Sequence, residues 1–259
     1  MNLLLISGHG AGDPGAVGSY QGKTYREADE TRNVTRALAA ELAKSCQVTV
    51  YPTDRNAFDD HRSGTLAAVA KFSRYDYVLE IHFNAIKASA ADGKTKGVEC
   101  YVPTGAKSTV TEAAICRRMA AVGLTNRGVK AYNWSVIAAA HKAGVPSALL
   151  EVCFIDDADD MAVYTQKCGE LIRAIADGVR EGFSLSSEEE QEVTYETFKT
   201  YLEQYLGEMA VKAPSSWSAD ARAWAESKGI VQGDDQGQKK YRSSVTREEL
   251  VQMLYRALQ

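Results

Sequence analysis

The 259-residue sequence lacks a membrane-length apolar run, a surplus of positive charge and any paired-cysteine spacing. Hydrophobic residues make up 45% of it, enough for an ordinary core. Nothing approaches the roughly 20 consecutive apolar residues of a spanning helix. With 30 basic and 34 acidic residues, there is no basic surface to suggest a nucleic-acid partner. The five cysteines, Cys46, Cys100, Cys116, Cys153 and Cys168, are odd in number and form no Cys-x-x-Cys. They are expected as buried free thiols of a reducing compartment, not as a disulfide framework. A basic leader is also missing. Met1–Ile6 runs straight into Ser7-Gly8-His9, too short an apolar stretch for a cleavable signal peptide, so the expectation is a product made in a cytosol.

What is present suggests one large domain and one small one. From Ser184 onward there are 9 basic against 13 acidic residues, so all of the net charge of −4 falls there. The polar stretch Ser184–Glu192 reads as a linker, dividing the chain into residues 1–183, 184–192 and 193–259. In the first part, Leu3–Ile6, Val48–Thr53, Tyr77–Ile81, Val98–Val102 and Ala148–Val152 read as strands. Arg26–Lys44, Ser63–Ser73, Thr111–Val122 and Met161–Phe183 carry apolar residues at helical spacing. This alternation predicts an α/β fold, a sheet covered by helices on both faces. Thr53–Arg62 reads as a polar loop in which Asp54 and Arg62 pair, and Trp134–His141 as a short helix ended by a histidine cation.

Four polar residues stand out against this frame. His9 and His82 each end an apolar strand, Glu27 opens an amphipathic helix with core residues Val34, Leu38 and Leu42, and Glu151 closes a third strand. Strand ends converging on one sheet edge are where open α/β folds place ligands. Alone, Glu27 is equally well a first-turn acid favoured by the helix dipole, and either histidine a hydrogen-bonded core residue. Together, two imidazoles and a carboxylate make a zinc site with an open fourth position, with a further carboxylate to act on bound water. That pattern points to metal-assisted hydrolysis.

The motifs that carry these residues resemble the zinc-dependent N-acetylmuramoyl-L-alanine amidases of phage endolysins and bacterial autolysins. They are Ser7-Gly8-His9-Gly10 with Asp13-Pro14-Gly15-Ala16, then Glu27, Ile81-His82-Phe83-Asn84-Ala85, Gly97-Val98-Glu99-Cys100-Tyr101, Asn126-Arg127-Gly128-Val129-Lys130 and Leu150-Glu151-Val152-Cys153-Phe154-Ile155. The resemblance spans about Asn2 to Phe183 and implies a twisted, mostly parallel sheet. It implies one zinc per chain on His9, Glu27 and His82, Glu151 as the catalytic acid/base, and peptidoglycan as substrate. A zinc peptidase or carboxypeptidase acting on stem peptides, and a non-catalytic wall-binding protein, are the other readings. Without an export signal, the resemblance favours a phage endolysin or prophage remnant, released by a holin-type route, over a secreted autolysin, the alternative being an unusual secretion route.

Glu80 departs from the family pattern, which commonly has serine two residues before the second histidine. Period-two alternation puts Glu80 on the face of His82, as an acceptor that orients a ligand histidine, as a rival ligand, or as the partner of an arginine. Asn84 follows His82 closely. The polar stretch Lys87–Lys96 and the loop Asn126–Trp134, with Arg127, Tyr132 and Trp134, are placed to shape a substrate groove. Tyr132 and Trp134 are either sugar-gripping aromatics or surface residues without function.

The last part carries a helix over Val193–Lys212, a Trp217–Ala225 segment, Gly229-Ile230 and Gly233-Asp234, and a capping-box start at Thr246-Arg247-Glu248-Glu249. Over about Trp217–Leu258 it is similar to one S-layer homology module, which implies a small helical domain that binds a secondary cell-wall polymer. So small a unit barely buries a core by itself, so docking, or dimerisation with a second copy, is the other expectation.

Overall fold

A computed structural model describes residues 1–87, 91–186 and 195–259. The expectations for 88–90, within the Lys87–Lys96 loop, and for 187–194, across the linker and the start of the following helix, lie outside the described residues. The chain divides into two compact units, Met1–Glu189 and Glu190–Gln259.

The first unit is the expected α/β sheet. Strands β1 (Asn2–Ser7), β4 (Gln47–Val50), β5 (Tyr77–Asn84), β6 (Val98–Val102), β7 (Asn126–Ala131) and β8 (Ser147–Phe154) form one six-stranded sheet in the order β4-β1-β5-β8-β6-β7. Strands β4, β1, β5 and β8 run parallel, β6 is antiparallel to β8, and β7 is parallel to β6. The largely apolar character of β1, β5 and β8, broken in β5 by Glu80 and His82 and in β8 by Glu151, is explained by burial on both faces. Leu3, Leu5, Leu79, Ile81, Leu150 and Val152 face one core, which they share with helices α1 (Glu27–Leu42), α4 (Val110–Val122) and α6 (Ala158–Phe183). Leu4, Ile6 and Val78 face the other, with α2 (Ala57–Ser63), α3 (Leu66–Ala70) and α5 (Ser135–Lys142).

Several local expectations are corrected. The segment expected as a polar loop contains α2, capped by the Asn56 side chain, which accepts from the Phe58 amide, and ended by Gly64 at φ 78°. The helix expected over Ser63–Ser73 is therefore only α3 followed by a 3-10 turn, Phe72–Arg74, with Lys71 left-handed between them. The ion pair of this region is Arg55 with Asp60, which also accepts from Tyr51, in place of Asp54 with Arg62. Asn126–Ala131 is an edge strand, and a hairpin of β2 (Val17–Tyr20) and β3 (Lys23–Arg26) precedes α1.

The second unit holds α7 (Tyr195–Ala210), α8 (Ala219–Ser227) and α9 (Arg247–Ala257). The expected capping box is formed, with Thr246 Oγ1 accepting from the Glu249 amide and Glu249 accepting from the Thr246 amide. Ile230 is buried, while Trp217 and Trp224 are 87% and 54% exposed. The described helices of the molecule include none long and apolar enough to cross a membrane.

Candidate metal centre

The sheet edge defined by the C-terminal ends of β1, β5 and β8 gathers the four residues singled out by sequence. His9 lies just past β1 in a left-handed conformation (φ 60°), with its ring edge-to-face with that of His82 at 4.9 Å. His82 sits near the end of β5, directly opposite Glu151 of β8 in the parallel register. Glu27 is the first residue of α1, where the helix N-terminus favours a carboxylate.

Glu27 is the hub. Its Oε1 accepts from the Phe83 amide at 2.9 Å and lies 2.9 Å from His82 Nδ1. Its Oε2 accepts from the Ala16 amide at 2.8 Å and lies 3.1 Å from His9 Nε2. Burial opposes ionisation, but the contacts with His82 and His9 hold the Glu27 carboxyl well below the usual range. Burial likewise opposes charge on the two rings, and the carboxylates around them outweigh it, raising His82 well above 6.5 and His9 less. One ligand atom from each of His9, Glu27 and His82 falls within 4.8 Å of the others.

Glu151 differs from Glu27 in having no donor. Its Oε2 is buried with no hydrogen-bond partner among the described residues. Burial, resisted by His82 and reinforced by the negative charges of Glu27, Glu99 and Glu80, pushes its carboxyl up to about 7. These residues line a cleft of about 430 Å³ walled by Phe58, Trp134, Val136 and Leu149.

Among the secondary candidates, Glu80 is buried in the same cleft, with Oε1 3.3 Å from His82 Nε2. Its partner in the structure is thus the histidine and not an arginine. Asn84 and Trp134 also line the cleft. Arg127 and Tyr132 do not. Arg127 Nε donates to Glu99 at 2.6 Å and its guanidinium covers the Phe154 ring, while Tyr132 stacks on Trp134 at 4.7 Å. Lys130, Tyr101 and Asn84 also donate to Glu99, which burial would neutralise but Lys130 and Arg127 keep ionised. Of the Lys87–Lys96 loop, the amides of Lys87, Asp92 and Gly93 are held by Asp156 and Asp159.

The sequence profile of a family described as N-acetylmuramoyl-L-alanine amidase matches residues 3–181. The chain belongs to the N-acetylmuramoyl-L-alanine amidase family. An endolysin of Bacillus phage SPP1 is 27% identical over 191 residues, covering 70% of this chain and 64% of that protein. The N-acetylmuramoyl-L-alanine amidase LytC of Bacillus subtilis strain 168 is 26% identical over 175 residues, 66% of this chain and 34% of LytC. The chain thus spans less than two thirds of the length of these curated relatives. The fold is shared with an N-acetylmuramoyl-L-alanine amidase from Clostridium difficile 630 (TM-score 0.57, 23% identity, 71% of this chain and 96% of that one). It is shared equally with the catalytic domain of the amidase CwlV from Bacillus (Paenibacillus) polymyxa var. colistinus (TM-score 0.56, 24% identity, 72% and 100%).

Several residues of this amidase-family site were not singled out by sequence reasoning. Asp13 Oδ2 lies 2.7 Å from His9 Nδ1 and accepts from Asn56 Nδ2 at 3.3 Å. The signal was an acid four residues after the histidine, within a motif used only to carry the family resemblance. Gly8 and Gly15 are there for space. A Cβ on Gly8 would lie 2.3 Å from His82 Cε1, and one on Gly15 2.7 Å from Glu27 Oε2.

Proposed function

We propose that this amidase-family protein is a zinc-dependent peptidoglycan hydrolase. Its bond would be the amide between the lactyl group of N-acetylmuramic acid and L-alanine, and its biological setting that of a phage endolysin. The observation that carries the reading is the set of His9, Glu27 and His82 ligand atoms within 4.8 Å, beside the donorless buried oxygen of Glu151. Two imidazoles and a carboxylate are a donor set that suits zinc with one position open. An acid left unpartnered in a cleft is costly as structure and useful as a proton carrier.

A zinc ion held by His9, Glu27 and His82 would lower the pKa of a water and offset negative charge on the attacked carbonyl oxygen. Glu151 takes the proton from the attacking water and returns it to the departing amine of L-alanine. Glu27 stays ionised throughout, because its four contacts leave it no reason to take a proton. Trp134, on the cleft wall and 41% exposed, offers an aromatic face to a sugar ring. The family membership and the endolysin and autolysin relatives support the choice of bond and substrate.

The second unit is read as a wall-binding module. Support comes from the similarity of about Trp217–Leu258 to an S-layer homology module and from two exposed indoles, Trp217 and Trp224.

Mass spectrometry of fragments released from purified peptidoglycan tests the catalytic reading. An amidase frees the α-amine of the first stem residue and leaves intact lactyl groups on the glycan. Products cut within the stem peptide would refute it in favour of a zinc peptidase, and no released product at full zinc loading would leave a wall-binding protein.

A further inference from the structure

Five side chains form an unbroken series, Asp13–His9–Glu27–His82–Glu80, in which each imidazole lies between two carboxylates. His9 presents Nε2 to Glu27 at 3.1 Å and Nδ1 to Asp13 at 2.7 Å. His82 presents the other pair, Nδ1 to Glu27 at 2.9 Å and Nε2 to Glu80 at 3.3 Å. The two rings are therefore used in opposite senses.

This matters because of what a ligand imidazole must do with its remaining proton. A ring that gives one nitrogen to a cation keeps N–H on the other, and that N–H is satisfied by an acceptor which also sets the ring's orientation and basicity. The inner nitrogens, His9 Nε2 and His82 Nδ1, converge with Glu27. The outer ones face Asp13 and Glu80. We propose that Asp13 and Glu80 are positioning residues that fix opposite tautomers in the two rings, Nδ1–H in His9 and Nε2–H in His82, so that both inner lone pairs are free for one metal ion. The inference rests on the zinc reading above and adds to it a role for the acid that stands where the family commonly has serine.

Both outer carboxylates are built into the fold. Asp13 accepts from the Gly15 amide at 3.0 Å and from Asn56, and its backbone bridges to Gly10. Glu80 is 4% exposed on β5, flanked in register by Ile6 of β1 and Leu149 of β8, and shares the face of His82 by the period-two rule. The His82 ring stands over Gly8, where even a methyl group would collide with it, so the glycine is needed for the ring to occupy this seat. A carboxylate at position 80 is a stronger acceptor than a hydroxyl and makes the imidazole a better donor to the metal.

The test uses the full chain and zinc alone. Competition with a chromophoric chelator should show zinc affinity reduced about 10- to 100-fold in Glu80→Ala and in Asp13→Ala, with a smaller loss in Glu80→Gln, which keeps an acceptor but not the charge. The sequence has 4 histidines, so ring 15N–1H correlation spectra of the zinc-loaded wild type can be assigned by single substitution. They should show His9 protonated on Nδ1 and His82 on Nε2. Wild-type affinity in both alanine variants, or His82 protonated on Nδ1 in the loaded wild type, would overturn the proposal. The second measurement needs no variant, so it decides even if an alanine substitution prevents folding. A wild type that binds no zinc would instead refute the metal reading, and this inference with it.

Discussion

His82 on β5 and Glu151 on β8 stand directly opposite each other across a parallel ladder, so the two side chains leave the sheet on the same face. On the far side of Glu151, Glu99 of β6 occupies the matching position. One row across three strands thus carries a histidine that meets Glu27, an acid with an oxygen that has no hydrogen-bond partner among the described residues, and an acid saturated by Asn84, Tyr101, Arg127 and Lys130. Two identical side chains, Glu151 and Glu99, are thus given different tasks by their neighbours.

From this contrast, Glu151→Gln should separate binding from chemistry. The amide keeps the shape of the side chain but cannot accept the water's proton. Zinc content by elemental analysis should stay near one per chain, while turnover on peptidoglycan falls by roughly two or more powers of ten. Lysis at near wild-type rate would make Glu151 structural.

Steric room is a second requirement. Gly8→Ala places a Cβ 2.3 Å from His82 Cε1 and 2.4 Å from Nε2, against a side chain that is only 17% exposed. Overpacking of this kind costs about 1–3 kcal/mol, and the displaced ring should also lose zinc. The expected signature is a lower melting temperature together with weaker metal binding. Unchanged zinc affinity in a folded Gly8→Ala chain would show that His82 is not held where the cleft places it.

The strands that carry this site were legible because burial on both faces makes them mostly apolar, Leu3–Ile6 throughout and Tyr77–Ile81 apart from Glu80. Their polar ends were legible because His9, His82 and Glu151 interrupt those runs abruptly. The hairpin β2–β3 and the edge strand β7 were not, since Val17–Arg26 and Asn126–Ala131 are half-exposed and carry glycine and charge where a buried strand carries leucine. Helix α2 was hidden by its own polarity, for only Ala57 and Asp60 of its residues are buried. Asp13 was visible as a residue but not as a partner, because its contact with His9 depends on a loop conformation that spacing does not encode.

The two histidines give the site a pH dependence with a definite sign. In the metal-free protein, burial lowers both rings but Glu27 and the other carboxylates raise them above 6.5. Their contribution to metal-free stability is therefore fully present below pH 6.5 and is lost as pH rises through the raised values. Zinc requires the inner nitrogens unprotonated, so its affinity climbs over the same range, by up to about tenfold per pH unit for each proton displaced. The gap in melting temperature between zinc-saturated and metal-free protein should widen from about pH 6 to about pH 8. His9→Ala should remove most of the gap at every pH. A gap that is constant or narrows with rising pH would contradict proton displacement at these rings.

The last expectation concerns the division of labour along the chain. Helix α6 ends at Phe183, with Ser184 in the left-handed region closing it and the Leu185 amide returning to Arg180. A chain stopped after Ser186 keeps that cap, both cores of the first unit and every residue of the cleft. It should fold, bind zinc and cleave soluble muropeptides at nearly the full rate. What it gives up is the second unit, with 13 acidic against 9 basic residues counted from Ser184 and with Trp217 and Trp224 facing solvent. If that unit anchors the enzyme, the shortened chain should be lost from the pellet when intact cell walls are sedimented, while the full chain stays bound. A net-negative anchor cannot hold anionic wall polymers by bulk charge attraction, so retention of the full chain should change little when salt is raised. Equal sedimentation of the two chains would leave the second unit without an anchoring role, and a strong salt dependence would replace the indoles with its lysines and arginines as the contact.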